Sequence, residues 1–336
     1  PTGPSPASGS AGCSSPTTRP ADSRPNVDTS TFDAHGVTFT ISSSAADVVA
    51  AFEDLLVDFG SRAATPGPPT VRFSVEPTTT DDPDHTWYRV TADEQVVYTS
   101  LLEGSLVSHL LMDVNARAAA ACRDDATVPL HAGTAAGASG AIVLPGASHS
   151  GKTTITTALA ASGHQFVADE VSRLDPDQLT IAPYGKPVAL RSASVELPAP
   201  SVARLRRPGS RFEIDERFVP PSELGSQAPV RAVEGAVVAP SGVTLQPVEV
   251  SAIVFPRYDA AGPHHFAPLS PAETLERLMQ CTLGVASTTV GADVFRTLER
   301  LVRAVPGHAL VYTDLDAALD ELAPLLAAPG RDPAAT

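Results

Sequence analysis

The sequence predicts an α/β protein in which a smaller N-terminal α/β subdomain precedes a larger domain with a mixed sheet. Short apolar runs alternate with segments of helical periodicity along most of the chain. One apolar run leads through a glycine-rich loop directly into a helical segment, as in α/β folds. Apolar residues make up 43% of the 336 residues, which is enough for a sizeable core.

The first 34 residues are predicted to be a disordered tail rich in Pro, Ser and Thr. Val27 and Phe32 are the only large apolar side chains in this segment. Burying so few apolar groups does not offset the entropy lost when a chain becomes ordered.

Residues 35–125 have the pattern of the smaller subdomain, and residues 126–330 that of the larger domain. In the first, apolar alternation and helical periodicity predict four strands and two helices, near 37–41, 45–59, 70–75, 86–90, 95–98 and 101–121. In the second, Pro-bounded strands run to about residue 256. Helices and a final strand then follow near 271–283, 293–305, 309–312 and 315–327.

Charge and composition exclude several classes of protein. Acidic residues outnumber basic ones 38 to 23, and the formal charge of -15 argues against a nucleic-acid partner. The longest apolar runs are too short to cross a membrane. Cys13, Cys122 and Cys281 lie far apart without metal-ligand spacing, so we expect a cytoplasmic protein. Only Lys152 and Lys186 among the basic residues are lysine.

The strongest motif begins after a predicted strand at residues 141–145. Gly146-Ala147-Ser148-His149-Ser150-Gly151-Lys152-Thr153 matches the pattern G-x-x-x-x-G-K-[ST], and Thr154 opens a predicted helix at 154–162. In such loops backbone amides and the helix N-terminus bind phosphates, so these nine residues form a candidate site for ATP or GTP. Lys152 would reach the β- and γ-phosphates and Thr153 would bind Mg²⁺. A glycine-rich surface loop without a ligand is the alternative.

Two acidic residues follow the next predicted strand, at residues 164–168. Asp169 and Glu170 lie where α/β proteins place catalytic groups, at the carboxyl end of a strand. Adjacent side chains on an extended strand point in opposite directions, which predicts different tasks for the two. One would accept the proton of an attacking hydroxyl and the other would hold Mg²⁺. The alternative is a pair of solvated turn residues.

The segment from His131 to Glu170 resembles the catalytic domain of bacterial HPr kinase/phosphorylase, which has a phosphoenolpyruvate-carboxykinase-like P-loop fold. The similar features are a histidine fifteen residues before the first loop glycine, the pair Gly163-His164, and two adjacent acids after an apolar run. The resemblance implies that Asp169 is the general base, that Glu170 and Thr153 bind Mg²⁺, and that His131 and Lys152 lie at the transferring phosphoryl group. It also favours a homo-oligomer.

Some further positions are similar to the family and others differ from it. Val254-Phe-Pro-Arg257 is similar to a later stretch of the family and makes Arg257 a candidate phosphate clamp. The second acid is Glu170 where the family usually has Asp, and the Arg-Gly-apolar segment associated with phosphorylase activity is not found. The segment 183–187, Pro-Tyr-Gly-Lys-Pro, resembles HPr-kinase-like proteins found beside peptide natural-product genes, some of which phosphorylate a precursor peptide.

The sequence therefore predicts a Mg²⁺-dependent kinase that transfers the γ-phosphoryl group of ATP or GTP to a hydroxyl, with Ser or Thr of a peptide or protein as the expected acceptor. Two alternatives stay open. One is a kinase for a small hydroxylated molecule. The other is a nucleotide-binding regulatory module without transfer activity, although such a module needs no general base.

Overall fold

The structure, a computed structural model, describes residues 27–59, 69–78, 86–191, 216–224, 237–238, 244–284 and 291–327. It is a mixed α/β protein with several sheets, as predicted. Residues 1–26 of the predicted tail lie outside the described residues. Among those that are described, no helix is long and apolar enough to cross a membrane.

The N-terminal part is a five-stranded sheet covered by two helices. Its elements are β1 Asp28–Ala34, β2 Val37–Ser43, α1 Ala46–Leu55, β3 Val71–Thr78, β4 Trp87–Ala92, β5 Gln95–Leu102 and α2 Glu103–Asp124. The strands lie in the order β1-β2-β3-β4-β5. Neighbours are antiparallel except β2 and β3, which are parallel and are connected through α1. The strands and helices of this subdomain agree with the predicted positions to within a few residues, apart from β1.

Strand β1 shows that the predicted disordered segment 1–34 is wrong for its last residues. Asp28–Ala34 pairs with Val37–Ser43 through a tight turn at His35 and Gly36, both of which have positive φ. Phe32 and Ala34 are buried on one face of this strand. The composition argument failed because the partner strand supplies the apolar surface that the segment itself lacks.

The larger part contains a nine-stranded mixed sheet. Its strands are β6 Val128–Leu130, β7 Ala132–Gly137, β8 Gly140–Pro145, β9 Gln165–Ala168, β10 Ser172–Leu174, β11 Thr180–Ala182, β16 Val248–Tyr258, β17 His265–Leu269 and β18 Gly307–Tyr312. The main order is β6-β10-β11-β16-β8-β7-β9. The 11-residue β16 pairs with β11 near its start and runs parallel to β8 and to β18 farther along.

Four α-helices, a short 3₁₀ helix at Pro221–Glu223 and two short ribbons complete the described fold. The helices are α3 Lys152–Ala161, α4 Pro271–Gln280, α5 Ala292–Ala304 and α6 Leu315–Leu326. The ribbons pair β12 Val188–Arg191 with β13 Glu216–Val219, and β14 Val237–Val238 with β15 Thr244–Leu245. Helix α4 starts where the sequence predicts, because Ser270 and Glu273 form a reciprocal capping box around Pro271.

One of the hydrophobic clusters is shared by the two parts. The cluster inside the N-terminal sheet also contains Ala168, Val171, Tyr184 and Phe218 from the larger part. At the predicted boundary after residue 125 the chain passes from one sheet to the other, but the hydrophobic packing continues across it. The shared core joins the N-terminal sheet to the segment that follows β9, where the predicted acids lie.

Candidate functional site

The predicted glycine-rich loop connects β8 to α3 in the middle of the larger sheet. Strand β8 is buried along its length, lying between β7 and the parallel β16. Residues 146–151, here called the glycine loop, lead directly into α3 at Lys152. Gly151 has φ 95°, and a Cβ there would overlap the Tyr312 hydroxyl. Glycine is therefore required at this turn for both conformation and space.

Several polar groups in and next to the glycine loop have no side-chain partner in the described structure. The Ser150 Oγ is buried and has no hydrogen-bond partner among the described residues. The N-cap residue of α3 is Gly151, which has no side chain to accept hydrogen bonds from the amides of the first turn. Ala147, Ser148 and His149 are exposed on the outer side of the loop, and Thr154 is half-buried in the first turn of α3. Free donors at a helix N-terminus suit an anion.

Lys152 folds back over the glycine loop. Its Nζ donates hydrogen bonds of 2.9 Å to the carbonyl oxygens of Gly146 and Ala147, and the residue is buried. Burial lowers the pKa of Lys152, and the carboxylates of Glu170 and Asp169 oppose this shift. The ammonium group thus lies within electrostatic range of both acids.

Asp169 lies against the start of α3. It follows the end of β9 and is buried, and the Thr153 Oγ1 donates to its two carboxylate oxygens at 3.1 and 3.2 Å. Burial raises the pKa of Asp169, while Lys186, the Thr153 hydrogen bond and Lys152 lower it. This contact joins the glycine loop to the acidic pair.

Glu170 points to a different partner. Its Oε2 lies 3.0 Å from the His131 Nε2, and the hydrogen bond from His131 is the main cause that lowers the pKa of Glu170 to about 2. The two acids diverge as predicted, but the predicted cause is wrong. Strand β9 ends at Ala168, and Glu170 turns away because its backbone has φ 72°.

His131 lies beside the first glycine of the loop. Its backbone carbonyl accepts a 3.3 Å hydrogen bond from the Gly146 amide, and its own amide donates to the Cys281 carbonyl at 2.7 Å. The antiparallel pairing of β7 with β8 produces this contact, because Ala132 is opposite Pro145. The fold therefore places the His131–Glu170 pair next to the glycine loop.

Arg257 lies near the loop but points toward solvent. It is near the end of β16, where the next residue, Tyr258, donates its amide to the Ser150 carbonyl at 3.1 Å. The Arg257 side chain is 68% exposed, and its guanidinium lies 3.3 Å from the Asp259 carboxylate. In this conformation Arg257 does not face the acidic pair.

The segment 183–187, identified in the sequence by its resemblance to peptide-modifying HPr-kinase-like proteins, brings Lys186 to the acidic pair. Lys186 is buried and lies within electrostatic range of Asp169 and Glu170. Tyr184 is buried beside it and stacks on His35 with ring centroids 4.4 Å apart. The rarity of lysine and the Pro-Tyr-Gly-Lys-Pro resemblance were the signals in the sequence, whereas nothing indicated the contact with His35.

The oxygen atoms near the glycine loop suit a hard cation such as Mg²⁺ that also binds a phosphate ligand. No cluster of three or more His, Cys, Asp or Glu side chains with metal-site geometry occurs among the described residues. Mg²⁺ in phosphate-transferring sites is held by one or two protein oxygens together with phosphates and water. The Thr153 hydroxyl and the two carboxylates fit that smaller donor set.

Comparison with known proteins adds no assignment. A scan against protein-family models finds no matching family, and a search of curated proteins finds no significant match.

Proposed function

We propose that this protein is a Mg²⁺-dependent kinase that transfers the γ-phosphoryl group of ATP or GTP to a hydroxyl. One observation carries the proposal: the glycine loop, with its open donors and Lys152, is joined to a buried carboxylate through the Thr153–Asp169 hydrogen bond. A phosphate-binding loop alone supports binding, but a carboxylate directly beside it supports transfer.

In the proposed reaction the acceptor oxygen attacks the γ-phosphorus while the bond to the β,γ-bridging oxygen breaks. The nucleoside diphosphate leaves, and Asp169 takes the proton of the acceptor hydroxyl. Asp169 suits this task because its hydrogen-bond donor is the neutral Thr153 hydroxyl, whereas Glu170 already accepts from His131. The loop amides, Ser150 Oγ and Lys152 bind the phosphates.

Mg²⁺ would neutralise phosphate charge in this site. Thr153 Oγ1 and the Glu170 carboxylate would hold it, as the resemblance to HPr kinase/phosphorylase implies. Thr153 would then give up the hydrogen bond that it now donates to Asp169. His131 would hold the Glu170 carboxylate in place through the 3.0 Å contact.

The acceptor we propose is a Ser or Thr hydroxyl of a peptide or protein. The support is the resemblance of the segment 183–187 to peptide-modifying HPr-kinase-like proteins. A small hydroxylated molecule is the second candidate, and a regulatory module that binds a nucleotide without transfer is the third. The Thr153–Asp169 contact favours an enzyme over the third candidate.

Binding and transfer are tested separately. We expect Lys152→Ala to weaken Mg-nucleotide binding in calorimetry, because it removes the loop's ammonium group. We expect Asp169→Asn to keep binding within a few fold and to lower transfer from γ-labelled ATP by about 10²-fold or more. Asp175→Asn is the matched control, since Asp175 only closes a local turn with the amides of Asp177 and Gln178.

The remaining variants assign the metal and the acceptor. Glu170→Gln should raise the Mg²⁺ concentration needed for half-maximal transfer, and Glu273→Gln in the α4 capping box is its control. Mass spectrometry of labelled peptides and small alcohols identifies the acceptor. Nucleotide binding by the wild type without transfer to any hydroxyl would favour the regulatory module. Full transfer by Asp169→Asn would refute its role as the base.

A further inference from the structure

Both lysines of the chain are buried at the candidate site. Lys152 is 4% exposed and Lys186 is 5% exposed, while the other basic residues are all arginine. Burial of an ammonium group is unfavourable unless an anion is close. Asp169 and Glu170 supply that anionic surrounding in the described structure.

The backbone around Lys186 is fixed on two sides. On one side the Tyr184 amide donates to the Val167 carbonyl at 2.7 Å, which holds the segment 183–187 beside β9. On the other side, Gly185 packs so tightly on Asp58 that a Cβ would overlap the Asp58 carbonyl oxygen. The N-terminal subdomain thereby sets the position of Lys186.

The Tyr184 side chain provides a third attachment. Its hydroxyl donates to the Asn115 Oδ1 at 2.7 Å, and its ring stacks on His35 and lies edge-on to Phe59. All three partners belong to the N-terminal subdomain. These contacts fix the backbone next to Lys186, and the Lys186 side chain itself is buried.

The ammonium group of Lys186 is the second buried cation at the candidate site. Lys152 donates to two loop carbonyls, and the ammonium group of Lys186 lies within electrostatic range of both carboxylates. An ammonium group carries three donors. A buried ammonium group beside the glycine loop and the acidic pair is placed to donate to a phosphate bound there.

We propose that Lys186 binds the terminal phosphate of a nucleoside triphosphate and so distinguishes the triphosphate from the diphosphate. This rests on the proposed function. In-line transfer places the terminal phosphate between the β-phosphate on the glycine loop and the base Asp169. Asp169 and Glu170 would repel that phosphate, and Lys186, which lies within electrostatic range of both, offsets the repulsion.

Calorimetry with Mg-ADP and a Mg-bound, non-hydrolysable ATP analogue tests the assignment. We expect Lys186→Met to weaken binding of the triphosphate analogue about tenfold and to leave ADP binding within about twofold. Lys152→Met should weaken both ligands. Lys186→Arg, which keeps the charge, should restore part of the preference for the triphosphate.

A measurement on the unmodified chain covers the case in which Lys186→Met does not fold. Acylation of amines, followed by mass spectrometry, should show Lys186 protected by the triphosphate analogue and not by ADP. Equal protection by both ligands, or equal loss of both affinities in a folded Lys186→Met, would overturn the assignment. Unchanged affinities with a raised KM for the acceptor would also overturn it. If the wild type binds neither nucleotide, the proposed function itself fails and this inference fails with it.

Discussion

Acid should destabilise the fold through His35, the histidine that stacks on Tyr184. The ring is buried, its Nε2 lies 3.4 Å from the Val171 carbonyl oxygen, and Arg173 donates to the His35 carbonyl. Burial first and the Arg173 charge second lower the pKa of His35 from 6.5 to about 3. His35 is therefore neutral in the folded protein at every pH above about 3.

The direction and size of this pH effect on stability follow from proton linkage. The unfolded chain binds a proton at His35 below pH 6.5 and the folded chain does not, so stability is lost as the pH falls. Each state contributes a proton-binding factor for His35, and the ratio of the unfolded factor to the folded factor rises about 30-fold between pH 7.5 and pH 5. This change lowers the free energy of unfolding by about 2 kcal/mol. The loss continues until the pH reaches about 3.

Urea denaturation at several pH values measures this loss. His35→Asn is the matched variant, since Asn tolerates the positive φ at this position but does not titrate. We expect the variant to be less stable at pH 7.5 and its stability to fall less steeply toward pH 5. Parallel pH profiles for the wild type and His35→Asn would refute the assignment of the acid sensitivity to His35.

Three further perturbations address the loop, the first strand and the Lys186 segment. Gly151→Ala should lower stability by about 1–3 kcal/mol and reduce nucleotide binding, because the positive φ is strained and the Cβ overlaps the Tyr312 hydroxyl; denaturation and calorimetry measure both. A chain beginning at Asp28 should melt like the full chain, whereas one beginning at Gly36 loses β1 and should melt at a lower temperature. Equal melting of the two truncations would contradict the packing of β1. Gly185→Ala should displace Lys186 and lower triphosphate affinity more than diphosphate affinity, and an unchanged ratio of the two affinities would count against the role of Asp58 as a support.

Local patterns predicted the α/β class and most elements. The helix expected near 271–283 is observed as Pro271–Gln280, because its start depends on a capping box within four residues of sequence. The strand, loop and helix around Gly146 to Thr153 were also predictable, since the motif and its flanking periodicity are contiguous. Such information lies within a few residues and can be found without knowledge of the fold.

Features that depend on distant contacts could not be predicted. Strand β1 depends on its pairing with β2, and the burial of Phe32 is not visible in the composition of its own segment. The role of His35 depends on Val171, which lies 136 positions later. The orientation of Glu170 depends on its positive φ. Residues other than glycine rarely adopt such a φ, so the sequence does not indicate it.

The core that both parts share has a consequence for how such a chain can be inherited and recombined. An exchangeable module ends where few side chains of its neighbour contribute to its interior. At residue 125 this condition is not met, because Tyr184 and Val171 lie in the same apolar cluster as the N-terminal strands. A chimaera of two homologues that crosses at residue 125 must therefore take His35 and Tyr184 as a compatible pair, and these two positions should covary.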